Sequence, residues 1–243
     1  MKVEVQNIKP YSEEGSKKVQ IEEMFDDISK RYDFLNHFLS MGIDRGWRKK
    51  VIKEIKAVPH HAILDIATGT GDVAIAASGL DTQITGLDLS EKMLDVAREK
   101  VSKRGINNIE LIKGDSENLP YDDATFDVVT VSFGVRNFED LRKGLSEMQR
   151  VLKPGGKLII LEFSYPSKFP VKQLYHFYNS TLLPFFGKVI SGSSTAYTYL
   201  PESVKAFPEG QNFLDLLESS GFEKTGQKRL TFGISSLYTA FKG

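Results

Sequence analysis

Leu64-Asp65-Ile66-Ala67-Thr68-Gly69-Thr70-Gly71-Asp72 is an apolar run turned by two glycines into a segment that reads as the start of a helix. Glycine at such a turn lets the backbone approach a ligand closely. With Ala74 the stretch satisfies G-x-G-x-x-A, and Asp88 closes the next apolar run 19 residues after Gly69, where a carboxylate accepts both hydroxyls of a ribose. The glycine pattern alone fits a plain tight turn. Joined to strand, helix and distant acid, it predicts a nucleoside-bearing cofactor.

Outward from this turn the apolar period is that of short strands alternating with helices: 62–67, 84–89, 109–113, 126–132 and 158–163. That alternation predicts an α/β fold with a doubly wound, mostly parallel sheet and helices on both faces. Between the second and third strands a helix begins at Ser90, an N-cap serine followed by Glu91, and runs to about residue 104 before Gly105 stops it. Val151-Leu152-Lys153-Pro154-Gly155-Gly156 reads as a helix stop and tight turn without a ligand role. After Pro208 a helix over 213–218, ended by Gly221, and strands over about 223–230 and 235–241 close the sheet.

Upstream, residues 1–15 read as loosely ordered. Apolar residues from 19 to 39 recur at the three and four spacing of an amphipathic helix or broken pair, and a further helix covers 47–55. With 243 residues the chain suits one domain. Its parts are an N-terminal helical extension (1–60), a cofactor-binding core (61–164), an aromatic insertion (165–208) and closing helix and strands (209–243).

Composition excludes several functions. The 32 basic and 32 acidic residues cancel, so nothing global favours nucleic acid. The absence of cysteine removes disulfides, thiolate catalysis and thiolate metal sites. The charged N-terminus is unlike a secretory signal, and a cytoplasmic location is the default. No apolar stretch approaches the roughly 18 residues of a spanning helix, so membrane contact would be peripheral.

Nicotinamide dinucleotides and S-adenosylmethionine both fit a glycine turn with a distant acid. No second glycine-rich βαβ half appears to hold a dinucleotide. Gly114-Asp115-Ser116 follows the third strand, placing a carboxylate and a hydroxyl where an adenine edge could be met; an ordinary Asp-Ser turn is the plainer alternative.

LDIATGTGD, GLDLS, GDSENLPYDDATFDVVTVSFGVRN, EMQRVLKPGG, LEFSYP and AYTYLPESVKAFP together resemble the quinone-biosynthesis C-methyltransferases, a family that includes the demethylmenaquinone and ubiquinone methyltransferases. The likeness runs from about residue 24 to residue 241, and FGVRN and YLPESV are not general methyltransferase motifs. It implies a class I fold, seven strands with the last antiparallel, and transfer of the sulfonium methyl of S-adenosyl-L-methionine to a ring carbon of a prenylated hydroquinone, foremost demethylmenaquinol. It implies cofactor contacts from Thr70, Asp88, Asp115, Ser116 and Ser132, with Asp65, Gly69 and Gly71 of the glycine turn completing the candidate set. Asp-Ser stands here where relatives often carry Asn-Ala after the third strand, which changes the side chain offered to adenine.

Between Glu162 and Glu202 the chain has no acid, carries Lys168, Lys172 and Lys188 as its only charges, and holds ten of its 26 aromatic residues. A lipid-linked quinol would need such an apolar groove at a membrane surface, here the inner face of the cell membrane. Core or dimer contacts by Tyr175, Phe177, Tyr178, Phe185 and Phe186 explain the composition equally, so a homo-oligomer stays open. Arg136 and Asn137, leaving the fourth strand, are the candidate catalytic pair. Arg136 would stabilise a developing phenolate, directly or through water, and Asn137 would orient a ring oxygen. Tyr197 and His176 are weaker candidates for taking the proton. The alternative is that Arg136 pairs with Glu139 or Asp140 and holds the loop. His37, His60 and His61 have no metal-ligand spacing, and displacement at a sulfonium requires no metal. An NAD-dependent oxidoreductase and a non-catalytic membrane adaptor are the readings from other classes; a ubiquinone precursor, a sterol or another small aromatic is the competing acceptor.

Overall fold

The computed structural model describes residues 5–40, 42–177 and 195–243. Its centre is a sheet with strand order β3-β2-β1-β4-β5-β7-β6, formed by β1 (Ala62–Ile66), β2 (Gln83–Asp88), β3 (Ile109–Lys113), β4 (Phe126–Ser132), β5 (Leu152–Phe163), β6 (Phe222–Leu230) and β7 (Ser235–Lys242). Neighbours among β1 to β5 pair parallel, and β7 runs antiparallel to both β5 and β6. The order reverses between β1 and β4, which opens a crevice beyond their carboxyl ends.

Side chains alternate across this sheet as the period of two requires. Leu64, Ile66, Val129, Val131 and Ile160 face helices α5 (Leu141–Val151) and α8 (Gln211–Ser219). Ile63, Val128, Ile159 and Leu161 face Trp47, Val51 and Ile55 of α2 (Asp44–Ile55) and Val73, Ala74 and Ala77 of α3 (Asp72–Ala77). Strands covered on both faces need near-continuous apolar runs, which is why 63–66 and 128–131 were legible as strands. Helix α4 (Glu91–Lys103) starts as expected: Ser90 Oγ accepts the Met93 amide at 3.1 Å.

Two expectations about the elements need correction. β5 begins at Leu152 rather than 158, because Leu152 pairs with Phe126 before the register jumps to Lys157 opposite Val128. Lys153-Pro154-Gly155-Gly156 still turns, but as an excursion inside the strand. Residues 5–15 are exposed in large part but tethered rather than loose: Val5 is buried in the main core, and the Gln20 carboxamide accepts the Tyr11 and Ser12 amides at 2.9 Å each. Of the two forms expected around 19–39, a single helix or a broken pair, the single helix is found, as α1 (Lys17–Leu39). The aromatic insertion contributes two helices, α6 (Val171–Phe177) and α7 (Thr195–Ala206). Tyr199 of α7 packs with Ile21, Met24 and Ile28 of α1 in a small separate cluster.

Candidate functional site

The first turn after β1 is wound tightly. Ala67, Gly69 and Gly71 all take left-handed angles, at φ 52, 55 and 77°, and a non-glycine residue held there marks a backbone the surroundings over-determine. The turn is pinned across the sheet by the Thr68 amide, which donates to Leu87 O at 3.0 Å. Asp88 ends β2 beside it: its Oδ2 accepts the Gly69 amide at 2.7 Å and its Oδ1 the Ser90 amide at 2.9 Å. Two amides thus orient a carboxylate whose remaining lone pairs face the crevice. Burial pushes Asp88 up to about 6 against the pull of these amides.

The crevice is a concave cleft, partly open to solvent, at the carboxyl ends of the strands where open α/β sheets bind their ligands. Gly69, Asp88, Ser90, Met93, Gly114, Asp115, Ser116, Ser132 and Asn137 line it from the sheet side. Gly114 and Gly134 are required by packing, since a Cβ there would meet Leu87 Cδ1 at 2.6 Å and Ala67 Cβ at 2.5 Å, and they let the loops after β3 and β4 lie close against the neighbouring strand ends. One feature fits a polar-edged ligand. Ser132 Oγ is buried without a hydrogen-bond partner, and an orphaned hydroxyl facing a cleft calls for one from a ligand.

Of the residues read from sequence as cofactor contacts, the structure gathers Gly69, Asp88, Asp115, Ser116 and Ser132 at the cleft. Asp65, Thr70 and Gly71 lie behind it. Asp65 is buried and accepts the Thr68 and Thr130 hydroxyls at 2.6 Å each, bracing the turn from below, with burial pushing it up to about 6. Gly71 sits against Ala97 of α4, where a Cβ would stand 3.1 Å from Ala97 Cβ. Thr70 Oγ1 donates to Asp33 of α1 and meets Lys100 Nζ at 3.2 Å. Asp115 is less available than the Asp-Ser pattern suggests, because Lys18 Nζ donates to its Oδ2 at 2.6 Å and the Glu117 amide to its Oδ1 at 2.9 Å.

The opposite wall is α1, which contributes Lys18, Ile21, Glu22, Phe25 and Tyr32. Polar contacts along its length fasten it, among them Lys18 to Asp115, Glu22 to Lys113 at 2.7 Å, Asp26 accepting the Ser90 hydroxyl at 2.6 Å, and Asp33 paired with Lys100 at 2.7 Å. Sequence reasoning missed this wall. The available signal was the spacing of four between Lys18, Glu22 and Asp26, which puts three charges on one helix face.

The candidate catalytic loop departs from the direct-contact reading of Arg136 and from the local-pairing one. Its guanidinium does not line the cleft and does not pair with Glu139 or Asp140. Nη1 donates to Glu162 Oε1 at 2.7 Å and to Phe133 O at 2.6 Å, and the group lies 5.4 Å from the Phe163 ring centroid. Arg136 Nε is buried without a partner. The physical reason is burial: a guanidinium at 7% side-chain exposure needs a counter-charge beside it, and Glu162, at 0%, is the carboxylate that β5 brings there. Glu139 instead accepts the Lys17 amide at 2.7 Å, and Asp140 caps α5 through the Lys143 amide at 3.0 Å. Lys17 Nζ donates to Val5 O at 2.8 Å and Arg136 O at 3.0 Å; burial, reinforced by the Arg136 charge, lowers it to about 7.

Asn137 does line the cleft, and its Oδ1 accepts the Tyr199 hydroxyl at 3.0 Å. His176 and Tyr197 fall in α6 and α7, and their side chains lie outside the described residues, as do Tyr178, Phe185 and Phe186 altogether.

Comparison with known proteins places this arrangement. The model of the ubiE/COQ5 methyltransferase family matches residues 13–242. A protein named demethylmenaquinone methyltransferase from Bacteroides fragilis is 49% identical over 240 residues, covering 98% of each chain. One named ubiquinone/menaquinone biosynthesis C-methyltransferase UbiE from Geotalea daltonii is 46% identical over 235 residues, covering 95% of this chain and 98% of its own. Among solved structures, a SAM dependent methyltransferase from Aquifex aeolicus superposes with a TM-score of 0.59 at 23% identity, over 81% of this chain and 89% of that one, a likeness of fold.

Proposed function

This chain belongs to the ubiE/COQ5 methyltransferase family, and from that premise we propose that it transfers the methyl group of S-adenosylmethionine to a ring carbon of a prenylated hydroquinone, with demethylmenaquinol as acceptor. The observation that carries the reading is likeness along the whole chain, 49% over 240 residues, to a protein bearing the name of that activity. A ubiquinone precursor is the second acceptor, favoured by the name of the Geotalea relative.

S-adenosylmethionine, when bound, supplies a sulfonium methyl open to attack by an electron-rich carbon. Asp88 would hold the ribose hydroxyls, oriented by its two amides. Ser132 and Ser116 would meet polar atoms of the nucleoside, and Met93 an apolar face. The glycine turn and α1 would exclude water and align the reactants, a contribution that can reach ~7–11 kcal/mol. Asn137 would present its amide to a ring oxygen. Arg136, seated behind the loop on Glu162, would favour the phenolate form of the acceptor through water rather than by direct contact.

The acceptor would come from a bilayer. Among the described residues no helix is long and apolar enough to cross a membrane. Contact would therefore be peripheral, at the cytoplasmic face, through the acid-free insertion, where Phe169 and Leu174 are 81% and 65% exposed. The test is incubation of the purified protein with S-adenosylmethionine and a short-chain demethylmenaquinol, followed by mass spectrometry of the quinone. A product heavier by one methylene supports the reading. Calorimetric binding of NADH with none of S-adenosylhomocysteine would refute it in favour of an oxidoreductase.

A further inference from the structure

The motif Tyr199-Leu200-Pro201-Glu202-Ser203-Val204 has no role in the cofactor site, yet one of its side chains reaches the cleft loop. Tyr199 is 3% exposed, and its hydroxyl donates to Asn137 Oδ1 at 3.0 Å. Asn137 Nδ2 has no partner among the described residues, and the residue lines the cleft. A carboxamide offers an acceptor on one side and two donors on the other, and turning it by half a revolution exchanges them. With Oδ1 taken, the side that remains for the cleft is the NH2. The neighbouring orphan, Ser132 Oγ, shows that this end of the cleft holds polar groups awaiting a ligand.

The geometry points to Tyr199 as a positioning residue: by donating to Asn137 Oδ1 it holds the carboxamide with its NH2 toward the cleft, so that the site offers a donor to an acceptor oxygen and discriminates against a donor in that place. The chemistry matches an aromatic acceptor whose ring oxygen gains negative charge as the ring carbon attacks, since a donor fixed beforehand strengthens as that charge develops. Burial raises the Tyr199 phenol well above its ordinary value, against the opposing pull of the Arg136 charge, so it keeps a proton to donate. A phenol can donate to a carboxamide oxygen or accept from its NH2, and the arrangement found here is the first. This inference rests on the hydroquinone acceptor read above only for its kinetic arm.

That arm is a double-mutant cycle with S-adenosylmethionine and 2-prenyl-1,4-naphthohydroquinone. Tyr199→Phe is expected to lower kcat/KM about tenfold, the scale of one hydrogen bond and a freed amide. Asn137→Ala should lower it at least as far, and the double variant no further than Asn137→Ala. Affinity for S-adenosylhomocysteine should hold in all three. Losses that add, or a Tyr199→Phe variant whose only defect is thermal stability, overturn the proposal. The second arm uses the protein alone. In nitrogen-15-labelled protein the side-chain amide resonance of Asn137, identified by its disappearance in Asn137→Ala, should move in Tyr199→Phe. An unmoved resonance overturns the hydrogen bond whatever the acceptor is. A moved resonance in a protein that leaves the naphthohydroquinone unmethylated refutes the acceptor and leaves the role of Tyr199 standing.

Discussion

Replacing Glu162 with glutamine should destabilise the protein by about 3–5 kcal/mol, the usual scale for breaking a buried ion pair. Glu162 is wholly buried; its carboxylate takes Arg136 Nη1 at 2.7 Å, the Phe163 amide at 2.8 Å and, at 3.4 Å, the Arg136 amide. Glutamine keeps the shape and one acceptor oxygen, so the charge is the main thing lost. The guanidinium would then stand buried without a counter-charge, and its other close neighbours, Phe133 O and the Phe163 ring, cannot neutralise it. For a chain of this size about 1 kcal/mol moves the melting midpoint by about 2–4 °C, which puts the expected fall at roughly 6–20 °C. The assay is urea and thermal unfolding of Glu162→Gln, Arg136→Met and the double variant. Each single variant should be destabilised, and the double should recover much of the loss, because removing both charges leaves neither stranded. A Glu162→Gln variant within about 1 kcal/mol of wild type, or a double variant showing the summed loss, would refute a buried ion pair between Glu162 and Arg136.

Asp88→Ala should weaken S-adenosylhomocysteine by at least tenfold in calorimetric titration, since charge-assisted bonds contribute about 1.5–3 kcal/mol; equal affinity would remove Asp88 from the ribose site. Because burial sets the free Asp88 pKa at about 6 and the ionised form is the better acceptor, that affinity should be flat above pH 6 and weaken as pH falls through 6, with a flat profile from pH 7 to 5 counting against the assignment. Ser90→Ala loses both the cap on Met93 and the bond to Asp26 and should cost about 1–2 kcal/mol in urea unfolding; no loss would mean that neither contact is made in solution. Phe169→Ser with Leu174→Ser should reduce co-sedimentation with anionic liposomes, whereas equal binding by both proteins would move the membrane contact elsewhere.

The parallel core was legible because each strand buried on both faces must be apolar nearly throughout, and 63–66 and 128–131 are. The early start of β5 was not, since Pro154, Gly155 and Gly156 carry every local mark of a turn and only pairing with Phe126 keeps Leu152 in the sheet. The N-terminal residues look like a charged tail, yet Val5 is drawn into the core and its carbonyl is met by the Lys17 ammonium, a long-range contact that no local pattern carries. In α7, Pro201 sits inside the helix, where proline ordinarily argues for a break, so the element was read only as part of an aromatic insertion.

At the site, Asp88 could be found because its distance from Gly69 is set by the length of one strand-turn-helix unit. The partner of Arg136 could not, because sequence proximity favours Glu139 and Asp140, whereas Glu162 lies 26 residues away on the adjacent strand. The same limit hid α1. Its charges at 18, 22 and 26 resemble the solvent face of an amphipathic helix, and only the fold turns them toward Asp115, Lys113 and Ser90. That placement joins the two halves of the site. Ile21 and Phe25 of α1 line the cleft, while Ile21, with Met24 and Ile28, packs on Tyr199, whose hydroxyl holds Asn137. A helix that covers the cofactor side and seats the residue orienting the loop cannot shift without disturbing both, so the seating of α1 and the setting of the Asn137 amide are parts of one packing arrangement.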